Sequence, residues 1–253
     1  MNGKIYFASD FHFGIPDHAS SLVREKRFVS WLEMAQKDAA EIYLMGDLFD
    51  FWFEYHTVIP KGYSRLLGKL AEITEQGIKV HLFRGNHDMW AFSYLTDELN
   101  IKLHRDPECR QFGAKSFYLA HGDGLGPGDG GYKFIKKVFA NRFNQWLFRW
   151  LHPDWGIALA LFWSRRSRHA NLQKQEAEEN HTLHLIETRL VKHSEQLLKD
   201  HPGLDYLIYG HYHMPYEKQL NDRSKMLVLG DWLTHFTYGV FDGETIELRT
   251  FNP

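Results

Sequence analysis

The chain has 253 residues, 43% of them hydrophobic, and a net charge of −2, which fits one large α/β domain or one such domain with an insertion. A single cysteine, Cys109, excludes an intramolecular disulfide and is compatible with a reducing cytosol. The start "MNGKIYFASD" lacks signal-peptide features, and the longest apolar run, Trp155 to Trp163, falls far short of the ~20 residues of a membrane span, so the chain is read as soluble and cytoplasmic.

In chain order, short apolar runs recur, each ending in a polar cluster. "KIYFAS" leads to "DFHFG", "EIYLM" to "GDLFDFW", "IKVHLF" to "RGNHD", "SFYLA" to "HGDGLG", "DYLIY" to "GHYH", and "KMLVL" to "GDW". Runs of five or six residues rich in Ile, Val, Tyr and Phe predict buried strands. Helix-like segments, Ser20–Lys37 and Lys61–Gln76, separate the first three. The resulting βαβαβ pattern implies parallel strands with helices on the sheet faces. The last quarter changes character. "MPYEKQL", "KMLVLG", "HFTYGVF" and "ETIELRTF" predict antiparallel strands joined by turns such as "NDRS" and "DGE". Every polar cluster follows the carboxyl end of a predicted strand, where open α/β sheets bind ligands, so the clusters are expected to converge.

The clusters supply Asp10, His12, Asp47, Asn86, His87, His121, His211 and His213. Nitrogen and oxygen donors without cysteine suit Mn²⁺, Fe²⁺, Zn²⁺ or Co²⁺. Eight groups are too many for one ion and about right for two sharing a carboxylate. A lone D-x-H or H-x-H is more often a satisfied loop histidine or a cap. The ordered set D-x-H, G-D, G-N-H-D, H-G-D, G-H-x-H, each after a strand, is far more specific.

Residues 132–174 stand apart. They hold nine Lys/Arg against one acidic residue, Asp154, and four of the eight tryptophans. Phe139, Phe143, Trp146, Leu147 and Trp150 fall at helical spacing, and a second apolar helix is expected from Trp155 to Trp163 after an "HPD" turn. One reading is a helical hairpin packed on the main domain with a solvated basic face. The other is a helical cap offering an apolar groove and a cationic rim to an anionic lipid. A basic aromatic face also suits nucleic acid, but "WGIALALFW" is unusual for a nucleic-acid groove, so none is expected as a partner.

The motifs "SDFH", "GDLFD", "GNHD", "HGD" and "GHYH" resemble, in order, the five signature blocks of the calcineurin-like metallophosphoesterases. The resemblance implies a four-layer α/β/β/α sandwich with a helical insertion: a single domain over residues 1–253, with the cap at 132–174. It also implies a dinuclear centre, most often with Mn²⁺. One ion would take Asp10, His12 and His213, the other Asn86, His121 and His211, and Asp47 would bridge them. Such a pair, ~3.5–4 Å apart, binds phosphoryl oxygens and acidifies a bridging water that attacks phosphorus. His87 would sit near the leaving group as an acid or a donor to its oxygen. Asp88 and Asp123 would orient ligands. Asp50 reads equally as a helix cap or as another orienting group.

Within that superfamily the chain looks like the UDP-2,3-diacylglucosamine pyrophosphatases of the lipid A pathway. Those enzymes cleave the diphosphate of a UDP-linked diacyl sugar to UMP and the acylated sugar 1-phosphate. Asp129 and Tyr132 match a pair that the branch places near the sugar phosphate. Ser167, Asn171 and Lys174 match its S-x-x-x-N-x-x-K pattern, which lies on one helix face. "LGDW" (Leu229–Trp232) matches a block after the last histidines. The chain departs at His87, where the branch commonly has Arg, and at Ser164, again Arg in the branch; Arg165 or Arg168 would have to fill the latter role. The resemblance implies a nucleotide-linked lipid substrate and a cytoplasmic enzyme that touches the inner face of the inner membrane through its cap. The rival readings are a phosphoesterase for another nucleotide, phospholipid or phosphoprotein, and a scaffold without activity.

Overall fold

The apolar run Lys4–Ala8 forms strand β1, buried on both faces. Tyr6 and Ala8 point to one side and Ile5 and Phe7 to the other, as the two-residue pleat period requires. A computed structural model describes residues 3–128, 130–172 and 175–252, and for residues 163, 165–172 and 175–178 their backbone only. Helix α1, His18–Ala35, follows β1; the Asp17 carboxylate accepts from the Ser20 N–H at its start. It buries Phe28, Trp31, Leu32 and Ala35, one stripe at helical spacing. Then come β2 (Ala39–Leu44), α2 (Ser64–Glu75), β3 (Lys79–Phe83), the short α3 (Tyr94–Asp97) and β4 (Lys102–His104). Strands β1 to β4 pair in parallel.

The chain then starts a second sheet with β5 (Glu108–Phe112) and β6 (Lys115–Leu119). Four helices intervene: α4 (Gly130–Ala140), α5 (Arg142–Arg149), α6 (Pro153–Leu172) and α7 (Gln175–Leu185). A π-helical turn, Ile186–Val191, and α8 (Lys192–Asp200) lead into β7 (Tyr206–Tyr209), β8 (Pro215–Gln219) and β9 (Lys225–Leu229). Finally β10 (Thr237–Phe241) and β11 (Ile246–Thr250) return to the first sheet, β10 pairing antiparallel with β1. The sheet orders are β11-β10-β1-β2-β3-β4 and β5-β6-β7-β9-β8.

Three cores separate four layers. Helices α1 and α2 cover the outer face of the first sheet. Between the sheets lie Phe7, Tyr43, Phe83, Phe117, Leu119, Leu227 and Phe241. On the far face of the second sheet, Ile186, Leu190 and Val191 of the π-helical turn pack with Tyr209, Met226 and Val228. The fold is therefore a layered α/β/β/α sandwich.

Helices α4 and α5 contain no buried residue. The predicted aromatic stripe is broken at Asn141, whose side-chain oxygen caps α5 by accepting from the Phe143 and Asn144 N–H groups. Phe139 thus belongs to a different helix from Phe143, Trp146, Leu147 and Trp150. Twelve large apolar side chains between Phe134 and Phe162 are exposed, with Trp150 at 75% and Trp155 at 74%. Phe148 faces inward instead, against Phe53 and Trp90. Among the described residues, no helix is long and apolar enough to cross a membrane.

Candidate metal centre

The loops after β1, β2, β3, β6, β7 and β9 meet along one rim, because all six follow the carboxyl ends of parallel strands in two facing sheets. Backbone hydrogen bonds lace them together. Asp10 N–H donates to Gly46 O, the Phe11 and His12 N–H groups to Asp47 O, Trp232 N–H to Asp10 O, and Gly210 N–H to His121 O. Two glycines make the approach close enough. A Cβ on Gly85 would overlap Asp47 Oδ1 and lie 2.6 Å from the Asp47 nitrogen; one on Gly46 would overlap the His121 ring.

Three groups of side chains gather there: Asp10, His12 and His213; His12, Asp47 and His87; and Asp47, His121 and His211. Within each, the donor atoms lie within 4.8 Å of one another. Asp47 belongs to two of these groups. Its Oδ1 accepts from the His87 N–H at 2.8 Å. Its Oδ2 lies 3.6 Å from His12 Nε2 and 3.4 Å from His121 Nε2, between the two sides of the site.

The ring tautomers follow from the partners behind them. His121 Nδ1 donates to Met45 O at 2.8 Å, so Nε2 presents its lone pair inward. His12 Nδ1 faces Asp50 Oδ1 at 3.4 Å, and His213 Nδ1 faces Asp231 Oδ2 at 3.4 Å. Both Nε2 atoms then carry lone pairs, yet they stand 3.2 Å apart. Two lone pairs at that distance repel unless a proton or a cation lies between them. Two nitrogens each ~2.1 Å from one ion stand about 3.0–3.4 Å apart for ordinary ligand angles. Asp10 Oδ1, 3.5 Å from His213 Nε2, completes that side. Asp10 Oδ1, Asn86 Oδ1 and His121 Nε2 are buried with no hydrogen-bond partner among the described residues. Buried polar atoms are rarely left so; Asp10 and His121 belong to the gathered groups, and Asn86 stands between Gly85 and His87, which both abut Asp47, a pattern that fits divalent cations.

The buried carboxylates and rings shift one another strongly, and a cation at His121 Nε2 would displace the proton that this attraction favours. Burial pushes the Asp47 carboxyl up, but the charges of His121 and His87 outweigh it and hold it well below its usual value. Burial pulls His121 down, but the Asp47 carboxylate outweighs it and raises the ring to about 10. His211 falls to about 4, through burial and then the His121 charge. Asp88 rises to about 7, through burial and then Asp47. Its two oxygens accept from the Leu48 and Gly85 N–H groups, so it ties the β2 and β3 loops together.

The remaining predicted residues fall as follows. His87 Nδ1 donates to Asp50 O at 2.7 Å. Tyr132 O–H donates to Asp123 Oδ2 at 2.5 Å. Ser167, Arg168 and Asn171 lie on α6, with side chains outside the described set, and Asp129 and Lys174 lie outside the described residues. Three residues escaped the sequence reading as site members. Lys136 binds Asp123 at 2.6 Å; its place one helical turn after Tyr132 was the available signal. Asp231, inside "LGDW", backs His213. Ser164 binds Asp50, a contact across 114 residues that no local pattern announces.

A family model for calcineurin-like phosphoesterases matches residues 3–215. A UDP-2,3-diacylglucosamine hydrolase of Porphyromonas gingivalis is 36% identical over 263 residues, covering 99% of this chain and 98% of the relative. One from Aeromonas salmonicida is 27% identical, covering 89% of this chain and 85% of the relative. Among solved structures, the E. coli phosphoesterase Yfce superposes with a TM-score of 0.46 at 16% identity, over 98% of this chain and 92% of that one.

Proposed function

The chain belongs to the calcineurin-like phosphoesterase family, and on that premise we propose that it hydrolyses UDP-2,3-diacylglucosamine to UMP and 2,3-diacylglucosamine 1-phosphate, a step of lipid A biosynthesis. The observation that carries the substrate is the end-to-end match to a relative of that named activity. The chemistry rests on the orphaned, inward-facing donors of the centre.

Asp10, His12 and His213 would hold one divalent cation, Asn86, His121 and His211 a second, and Asp47 both. Oxygen and imidazole donors suit Mn²⁺, with Fe²⁺, Zn²⁺ and Co²⁺ as alternatives. Bound there, two such ions supply Lewis acidity toward phosphoryl oxygens and a water that ionises near neutral pH. The chain's own residues do the rest. Asp47 offers one oxygen to both halves while the His87 N–H fixes the other. The Met45 carbonyl, Asp50 and Asp231 hold three histidine rings with their donor nitrogens inward. His87, with its Nδ1–H committed to Asp50 O, would act as the imidazolium, giving the Nε2 proton to the leaving oxygen and keeping the Nδ1 proton.

Asp129, Tyr132, Ser167, Arg168, Asn171 and Lys174 would bind the sugar and its phosphate, and Lys136 adds a cation beside them. We read residues 1–253 as one domain with 132–174 as its cap. The exposed aromatics of α4 to α6, set among basic residues, favour a cytoplasmic enzyme docked peripherally on the inner membrane.

The test is UMP release from UDP-2,3-diacylglucosamine with Mn²⁺, for the wild type, Asp47→Ala and Asn171→Ala. The wild type should release UMP, Asp47→Ala should fall to background, and Asn171→Ala should lose about tenfold or more, since it removes a contact to substrate. Cleavage of an aryl phosphodiester with the diacyl substrate untouched would overturn the substrate and leave the centre standing.

A further inference from the structure

The loops after β2 and β3 stay paired beyond the candidate metal donors they carry. Trp52 N–H donates to His87 O at 3.3 Å and Glu54 N–H to Trp90 O at 3.4 Å, and Phe53 bridges Trp90 in parallel. This short ladder carries an aromatic platform beside the centre, with Trp90 as its hub. Trp90 is buried, and its ring meets those of Phe51, Phe53, Phe139 and Phe148 at centroid distances of 6.0, 5.2, 5.5 and 4.8 Å. Its indole N–H donates to Phe139 O at 2.8 Å. That carbonyl lies in the last turn of α4, where helical donors run out; Gln145 Nε2 of α5 also donates to it, at 3.0 Å. Three helices thus seat on one platform: α4 through Phe139, α5 through Phe148, and α6 through Gly156, where a Cβ would lie 3.1 Å from the Phe148 ring.

We propose that Trp90 is a positioning residue that seats α4 and α5 beside the metal centre and so sets the preference for substrates long enough to touch both. Trp90 stands three residues after His87, so one loop carries both the group that faces the leaving oxygen and the seat of the helices. A small phosphodiester engages the centre alone. A diphosphate whose lipid part lies on the helices engages both. Its remote binding helps at the reacting phosphorus only while helices and centre keep one register. The indole supports that register twice. Its ring fills the space between the paired loops and α5, and its N–H is the directional link to α4. The kinetic consequence rests on the diacyl-substrate reading of this site; the seat itself does not.

The test compares UDP-2,3-diacylglucosamine with bis(4-nitrophenyl) phosphate, both with Mn²⁺, in the wild type, Trp90→Phe and Trp90→Leu. Trp90→Phe keeps a ring and removes the donor, and Gln145 still serves Phe139 O, so this variant should fold. We expect kcat/KM for the diacyl substrate to fall about tenfold in Trp90→Phe and about 100-fold in Trp90→Leu, with aryl ester turnover held within about twofold. Amide exchange along α4 and α5 should quicken in both variants. An equal fall on both substrates would mean that Trp90 acts through the His87 loop; an unchanged preference with unchanged exchange would mean that α4 is seated without it. Either result overturns the proposal. A wild type that cleaves the aryl ester and leaves the diacyl substrate untouched overturns the substrate reading and the kinetic consequence together, while exchange in Trp90→Leu still decides the seat.

Discussion

Asp10, His12, Asp47, His211 and His213 all adopt left-handed backbone, with φ between 45° and 69°. Each such non-glycine residue costs about 1–3 kcal/mol and persists only where its surroundings fix it. Here the fixing is visible: the three N–H groups of Asp10, Phe11 and His12 are spent on the Gly46 and Asp47 carbonyls, and the His211 N–H on Asp10 Oδ2 at 2.7 Å. The left-handed kink aims successive side chains at the same point, so His211 and His213 serve opposite halves of the site from one short loop. Glycine at 85 is the counterpart, leaving room where the Asp47 carboxylate passes. Gly85→Ala should therefore push Asp47 off its position. We expect Mn²⁺ binding weakened at least about 100-fold and stability lowered by about 1–3 kcal/mol, as for an overpacked core site. Titration calorimetry and urea unfolding of the variant check both; unchanged Mn²⁺ affinity would show that the loops yield without moving Asp47.

Each strand between the sheets carries its rim loop on a packed base, so element packing and site geometry are linked. Phe117 on β6 is fully buried and meets Phe7, Phe112, Tyr206 and Phe241, at centroid distances of 6.0, 4.9, 4.9 and 4.9 Å. Phe117→Ala should cost about 3–5 kcal/mol, read from the urea midpoint at constant slope; a loss below about 1 kcal/mol would mean that the inter-sheet layer collapses to fill the space. The strands themselves were legible, because a chain segment buried on both faces must be apolar throughout. Their division into two sheets was not. "SFYLA" and "DYLIY" read like "KIYFA", and nothing local says that β6 and β7 pair away from β1. The edge strand β5, "ECRQF", alternates too weakly to stand out. Along α4 and α5 the aromatic spacing ran on across Asn141, since periodicity does not register the cap that restarts the helix. The metal donors were legible as ordered motifs, but their convergence depends on left-handed turns that sequence does not display.

At the scale of the whole molecule, four elements are joined by one row of titratable side chains away from the site. Glu41 on β2, His81 on β3, His104 on β4 and Glu108 on β5 link the two sheets at one edge. His81 Nδ1 and His104 Nε2 stand 2.9 Å apart, and His104 Nδ1 lies 2.6 Å from Glu108 Oε1. His81 Nε2 is 3.2 Å from Glu41 Oε2. Glu41 also accepts from Tyr43 O–H at 2.7 Å and faces Lys79 at 3.1 Å; Glu108 faces Arg110. The His81 hydrogen bond leads in lowering Glu41 to about 2, against the opposing effect of burial. A carboxyl depressed by folding contributes stability that is fully present above its unfolded value, near 4.5, and lost as pH falls through about 2. The full shift corresponds to about 3 kcal/mol; because Glu41 is only half-buried, solvent screening reduces this to about 1–2 kcal/mol. In urea unfolding with chelator present, the wild type should lose that much more stability than Glu41→Gln between pH 5 and pH about 2.5. Parallel loss in both proteins would mean that the row does not hold the sheets together in acid, and that the carboxylates of the metal centre govern acid unfolding instead.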